Sequence, residues 1–363
     1  MTVSAAPSDI SDAGGASDLS GLPGLDEGLQ ARVAEGMAAV AVRLAEVVDH
    51  DDPFIAGASA HLAAAGGKRF RPLLTLLASE VGTGWNAAVV DAAVGVELTH
   101  LASLYHDDVM DEADLRRGVP SANARYGNAT AILVGDLLFG TASSVVADLG
   151  AEAVKIQAQT FVRLCAGQIR DDLQTEVQLG SADGTHASPL AGDADDPAAV
   201  TAYLEILADK TGALIATAAR YGGMFGGCDA ATVHVLTGYG EKLGVVFQLA
   251  DDLLDVASAA DTSGKTPGTD LREGKATLPV LYARTSQDPD DARLLELTRG
   301  PIHDPQELDE ALALLRAHPA MEQARAHTGR LAAEARALLD DLADGPAVDA
   351  LRALVDGVAL RSS

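Results

Sequence analysis

Apolar residues recur along most of this chain at the spacing of one helix face. Val33, Met37, Val40, Leu44 and Val47 step by four and three, and Met321, Ala324, Leu331, Ala335, Leu338 and Leu342 do much the same near the far end. No run alternates Val, Ile, Thr and aromatic residues, and aromatics are only 4% of the chain, so strands lack their usual material. The pattern predicts an all-α fold. Two stretches break it. Residues 1–25 are Ser, Ala, Gly, Asp and Pro, too poor in large apolar groups to offset the entropy of ordering, and read as a flexible acidic tail. The segment from Gly180 to Pro197 reads as a solvated low-complexity loop inside a single helical domain spanning 26–363. No fixed-period repeat is visible, which favours a bundle over a solenoid.

Three copies of Asp-Asp-x-x-Asp stand out: Asp107, Asp108 and Asp111; Asp251, Asp252 and Asp255; Asp340, Asp341 and Asp344. On a helix, positions i and i+4 share a face, so Asp107 pairs with Asp111 and Asp251 with Asp255. Two carboxylates about 6 Å apart repel by roughly 0.7 kcal/mol in water and about 3 kcal/mol at an effective dielectric of 20. Such pairs ask for cations, and oxygen ligands spaced along a helix suit Mg²⁺ completed by water and substrate phosphate. The motif alone is weak evidence, because at this Asp content it should arise about 0.4 times by chance. The third copy stands just before Gly345 and Pro346 with no basic cluster nearby in sequence, and reads as a solvated helix end.

Charge sharpens the contrast. Lys and Arg total 26 against 53 Asp and Glu, a formal charge of -27, which argues against a nucleic-acid partner. Yet basic residues gather near the first two acid motifs. Arg116, Arg117 and Gly118 follow the first; Gly66 and Gly67 precede Lys68, Arg69 and Arg71, with Pro72 predicted to open a helix. Lys210 with Thr211, then Lys265 and Lys275, come later. Such islands in an acidic chain fit phosphate–metal–carboxylate contacts. Cys165 and Cys228 cannot make a disulfide framework; Cys165 reads as a core thiol, and a reducing cytoplasm is the expected compartment. Neither a signal peptide nor a membrane span is expected.

Taken in order, GGKRFRP, ELTHLASLYHDDVMDEADLRRG, LVGDLLFG, ADKTGALIATA, VFQLADDLLDV and GKTPGTDLREGKATLP resemble the trans-polyprenyl diphosphate synthases, the head-to-tail isoprenyl chain elongation enzymes. The resemblance runs from about Gly66 to Pro279. It implies a bundle of long antiparallel helices around a central cavity, the isoprenoid synthase type, in a homodimer. It further implies that Asp107, Asp111 and Asp251, helped by Asp108 and Asp255, hold Mg²⁺, three ions when substrate is bound, with Asp252 counted among the catalytic residues. Arg116, Lys210 and Lys265 would grip an allylic diphosphate (dimethylallyl, geranyl, farnesyl or geranylgeranyl). Lys68, Arg71, His100 and Arg117 would hold isopentenyl diphosphate, while Thr211 and Gln248 face the reacting carbons. His106 reads as structural. The family often has Glu where Gln168 stands here.

A class I terpene cyclase of the same fold, a squalene- or phytoene-type condensing enzyme and a non-catalytic partner subunit are the competing readings; both acid motifs and the Lys68–Arg71 cluster count against them. Chain length is read from what lies behind Asp107. The residues one turn back, Ser103 and Ala102, are small, with Thr99, Val96 and Gly95 deeper, so an open floor implies a product of about C35 to C50, a quinone side-chain precursor, rather than C15 or C20. Small residues there would alternatively serve close helix packing.

Overall fold

A computed structural model describes residues 26–67, 69–178, 197–258 and 267–361. The tail, the 180–197 loop apart from Pro197, Lys68 and Lys265 lie outside the described residues.

Side chains that satisfy the free N–H groups of a first turn start several helices. Asp26 accepts from the Leu29 N–H to open α1 (Glu27–Val47), and Asp52, ahead of Pro53, accepts from Phe54 and Ile55 to open α2 (Pro53–Ala64). The predicted stripe of α1 is inside: Val33, Val40 and Leu44 are buried, with Met37 and Val47 at its edges. Next, α3 (Phe70–Ser79) is apolar and buried almost all round. It starts at Phe70, so Pro72 is its third residue rather than its first; the missing N–H still falls in the first turn, where no intrahelical partner is lost. Asn86 caps α4 (Ala87–Met110), which carries the first acid motif at its C-terminal end.

After α4 comes the one departure from helix among the described residues. Leu115–Arg116 (β1) pairs antiparallel with Val119–Pro120 (β2), and the turn residues Arg117 (φ 54°) and Gly118 (φ 76°) both take positive φ, as a tight hairpin turn requires. Arg116 and Arg117 are therefore presented by a hairpin, not by an extension of the helix.

The chain continues through α5 (Ala122–Tyr126), α6 (Asn128–Ala147) and α7 (Ala151–Gln178). Small residues bring α6 against α4: a β-carbon at Gly95 would stand 2.6 Å from Val146, and one at Gly135 would stand 2.3 Å from the His106 ring. Both α4 and α6 are long and apolar enough to cross a membrane, but 67% and 39% of their apolar windows are buried within the bundle. Then α8 (Pro197–Leu207) runs into a π-helical turn, Ala208–Gly212, and on into α9 (Ala213–Phe225). Asp229 opens α10 (Ala230–Ala257), the axis of the molecule: Leu243, Val246 and Ala250 join the larger apolar core, while Val245, Leu249 and Leu253 join a second. Shorter helices α11 (Thr269–Glu273), α12 (Leu278–Ala283) and α13 (Ala292–Leu297) precede α14 (Pro305–Ala317), α15 (Pro319–Leu338) and α16 (Pro346–Leu360). The all-α expectation holds, with one two-stranded hairpin added.

Candidate active site

The two principal acid motifs sit in the last turns of α4 and α10. Helix C-termini are the negative ends of the backbone dipole, so these are electrostatically poor positions for Asp unless cations compensate. Asp107 shows the cost: burial, opposed by Lys210 and reinforced by Asp111, pushes its carboxyl up to about 6. Asp111 is likewise raised by burial, with Lys275 opposing and Glu273 adding to the shift.

The middle residue of each motif has another task. Asp108 is fully buried; its Oδ1 accepts from Arg116 Nε at 2.6 Å and its Oδ2 from the Ala122 N–H at 3.2 Å, so it anchors both ends of the hairpin. Asp252, 5% exposed, accepts from the Tyr203 hydroxyl and from Gln248 Nε2 (2.9 Å), and burial raises its carboxyl. Asp255 accepts from the Thr269 and Asp270 N–H groups (3.2 and 3.1 Å), capping α11. The resemblance implied Asp107, Asp111 and Asp251 as metal ligands with the other three aspartates in support. Geometry divides them: Asp108, Asp252 and Asp255 have their oxygens committed to the scaffold, while Asp107 and Asp111 carry raised pKa values facing lysines.

Those lysines are held in place. Lys210 lies on the π turn and pairs with Asp171 of α7 at 2.6 Å. The turn is clamped by Asp209, which binds Arg163 (2.7 Å) and Arg170, and its backbone is approached so closely that a β-carbon at Gly167 would stand 2.5 Å from Lys210 N. Gly244 of α10 meets the same turn, 2.6 Å from Gly212 Cα on the same measure. Thr211 donates to Gln248 Oε1 at 3.2 Å. Lys275 pairs with Glu273 at 2.6 Å; burial pulls its pKa down, but Asp171, Glu273 and Asp270 outweigh burial and hold the ammonium well above its usual value. A cleft lined by Tyr203, Lys210, Gln248, Asp252, Lys275 and Thr277 joins these groups, and the Thr277 hydroxyl is buried there with no partner.

A second basic pocket lies behind the hairpin turn. Arg117 donates to the carbonyls of Leu62 (3.0 Å) and Gly66 (2.5 Å), pinning the glycine loop in which Gly66, Gly67 and Arg69 all take positive φ. Arg71 is half-buried, its buried Nε has no partner, and burial lowers its pKa to about 10 against the pull of Glu97. His100 is kept neutral by burial and by Arg71, Arg117 and Arg116. Glu97, 2% exposed, is the carboxylate among these cations.

Three further expectations change. Ala102 lies roughly 140° around α4 from Asp107 but about 40° from His106, so it faces α6, whereas Ser103 is about 40° from Asp107. Ala102 is wholly buried and Gly95 packs on Val146, so at these two positions small size serves helix packing. Ser103 is half-buried, its hydroxyl donating to the His100 carbonyl at 2.9 Å. Cys165 is half-buried rather than a core thiol. The third acid motif does have a basic partner, since the Arg352 fork binds Asp340 and Asp344 at 3.1 Å each; all of it is on the surface, with those side chains 70% and 87% exposed. His106 is structural, its ring bonding the Ile132 carbonyl.

Sequence reasoning missed Tyr203, Asp171, Asp270 and Glu97. A single Tyr or Glu on an apolar helix carries no signal until the fold shows its partners. Among the described residues no three His, Cys, Asp or Glu side chains close on a metal by themselves. The raised carboxyls of Asp107 and Asp111, together with a buried hydroxyl at Thr277 that has no partner, fit Mg²⁺ that keeps water and shares phosphate oxygens.

Comparison with known proteins points the same way. The family model described as polyprenyl synthetase matches residues 52–315. Nonaprenyl diphosphate synthase of Mycobacterium tuberculosis is 46% identical over 327 residues, covering 90% of this chain and 92% of that protein. A crystal structure of geranylgeranyl pyrophosphate synthase from Corynebacterium glutamicum, complexed with calcium and isoprenyl diphosphate, superposes with a TM-score of 0.78 at 38% identity, covering 93% of this chain and 98% of that one. Decaprenyl diphosphate synthase from Rhodobacter capsulatus gives 0.79 at 34%, covering 93% and 99%.

Proposed function

The chain belongs to the polyprenyl synthetase family, a family of prenyl-transferring enzymes, and on that premise we propose that it condenses isopentenyl diphosphate with an allylic diphosphate to make a long-chain all-trans polyprenyl diphosphate. One observation carries the reading: in this acidic chain the cations gather in two clusters. Lys210 and Lys275 line the cleft and act on Asp107 and Asp111, and Arg71, His100 and Arg117 gather behind the hairpin turn.

In this reading Asp107, Asp111 and Asp251 hold Mg²⁺, whose chemistry is to neutralise charge on a diphosphate leaving group. The calcium in the Corynebacterium structure supports a divalent ion. Lys210 and Arg116, the latter steadied by Asp108, hold the allylic diphosphate, and Lys265 is assigned there from sequence. As the allylic C–O bond breaks, its electron pair leaves with that diphosphate, and fixed cations stabilise the charge without reorganising. Arg71, Arg117, neutral His100 and Lys68 keep isopentenyl diphosphate in place so that its double bond attacks the cation. Loss of a proton, taken up by the released pyrophosphate, then regenerates an allylic diphosphate five carbons longer. Thr211 and Gln248 stand beside the reacting carbons, and the apolar walls exclude water.

Product length rests on two supports, the 46% identical nonaprenyl synthase and the small Ser103 on the Asp107 face. The similarity to a geranylgeranyl synthase keeps a C20 product as the second reading. We also assign a homodimer in the cytoplasm, without a membrane span. Ile132, Leu133 and Leu137 of α6 and Phe161, Val162 and Ile169 of α7 form an exposed apolar face suited to a second copy. The test is incubation with labelled isopentenyl diphosphate, Mg²⁺ and each allylic primer, with products sized by mass spectrometry. Products of about C35 to C50 support the open floor behind Asp107; termination at C20 refutes the chain length, and no elongation refutes the function.

A further inference from the structure

Asp252 accepts on both oxygens, from the Tyr203 hydroxyl on one and from Gln248 Nε2 at 2.9 Å on the other. With its donor end turned to Asp252, the Gln248 amide must present Oε1 on its other side, where Thr211 donates to it at 3.2 Å. The chain Tyr203–Asp252–Gln248–Thr211 thus links α8, α10 and the π turn, and fixes which way a side-chain amide in the cleft points. Tyr203 is 4% exposed and Asp252 5% exposed, so neither can exchange its partner for bulk water. Tyr203 has so far been given no part in the reaction itself.

We infer that Tyr203 is a positioning residue for prenyl transfer: through Asp252 it holds the Gln248 carbonyl and the Thr211 hydroxyl with oxygen, the negative end of each dipole, available where positive charge builds on the allylic carbons. The inference rests on the prenyl-transfer reading above and deepens it. Without the phenol hydroxyl, one oxygen of a buried carboxylate is bare, and Asp252 is free to rotate toward other donors. The Gln248 amide then loses the contact that selects one of its two flips. Because substrate diphosphates are held by other side chains, Lys210, Arg116 and the Arg71 cluster, the loss should fall on the bond-breaking step and not on binding.

The test is a double-mutant cycle in the full chain with Tyr203→Phe and Gln248→Ala, read as the single-turnover rate of the first condensation from a C15 allylic primer. Tyr203→Phe alone should slow that rate about tenfold while half-saturation for both substrates stays within about twofold and the melting temperature is kept. In the Gln248→Ala background the same change should cost less than about twofold, since the group it positions is gone. An equal loss in both backgrounds, an unchanged rate in Tyr203→Phe, or a loss confined to half-saturation overturns the inference. A wild type that elongates nothing overturns the prenyl-transfer reading instead, and is seen before any variant is made.

Discussion

Replacing Asp107 by Asn should abolish turnover and stabilise the ligand-free protein. The carboxyl is pushed up to about 6, chiefly by burial at the negative end of α4 with Asp111 adding repulsion. A raised carboxyl means that the native state binds its proton more tightly than the unfolded chain does. The group therefore destabilises the fold fully above pH 6, and that cost is recovered as pH falls through the folded value toward an unfolded value near 4. Two pK units correspond to about 3 kcal/mol at most. In a chain of this size that is a rise of roughly 2–5 °C in melting temperature for Asp107→Asn at pH 7.5, shrinking as the pH approaches 4. Mg²⁺ with inorganic pyrophosphate should raise the wild type by a similar amount and the variant by much less. Turnover should fall by about two orders of magnitude or more. Thermal denaturation across pH 4–8, with and without Mg²⁺ and pyrophosphate, measures all of this. A variant that melts below the wild type at pH 7.5 would show that Asp107 is already compensated, and the reasoning from burial and helix polarity would fail.

Asp340→Ala should leave turnover within about twofold and cost under about 1 kcal/mol, because an exposed ion pair with Arg352 is all it loses; steady-state kinetics showing a large loss would contradict the division among the three motifs. Arg71→Ala should raise the KM for isopentenyl diphosphate by about tenfold or more and leave that for the allylic substrate nearly unchanged, whereas the reverse pattern would exchange the two pockets. Ser103→Phe should shorten the product toward C15 or C20 as sized by mass spectrometry, while Ala102→Phe, forced against α6, should lower stability by about 1–3 kcal/mol. If Ala102→Phe folds normally and shortens the product while Ser103→Phe does not, the placement of the tunnel on the Asp107 face is wrong.

Legibility in the sequence followed how local each signal was. The stripe through Val33, Val40 and Leu44 fixes which face of α1 is inside because three and four residues separate its members. The hairpin at residues 115–120 was invisible because strand pairs two residues long have no periodicity; Arg117–Gly118 is a turn only once Asp108 and Ser121 hold its ends. Both basic clusters were found from their density in an acidic chain. Their confinement in separate pockets was not, since Arg117 reaches Gly66 across 51 residues of sequence. Ala102 and Ser103 looked equivalent because adjacency in sequence conceals a rotation of about 100° between them. Tyr203 lies 49 residues from Asp252, beyond any spacing rule.

The same five-residue pattern thus has three physical outcomes, and the difference lies in what surrounds the middle residue. In the third copy, the fork of Arg352 takes the outer aspartates and water takes the rest. In the first, burying Asp108 is affordable only because Arg116 and a backbone N–H meet it, and that anchoring presents Arg116 to the acid motif and Arg117 to the glycine loop. In the second, Asp252 meets no arginine among the described residues; a phenol and an amide satisfy it, which leaves its charge less compensated and its geometry tied to Gln248. Removing Asp108 should therefore disturb both basic clusters together, and removing Asp252 chiefly Gln248 and Thr211. The outer residues Asp107 and Asp111 can keep carboxylates raised by burial because the middle one secures the structure on which they stand.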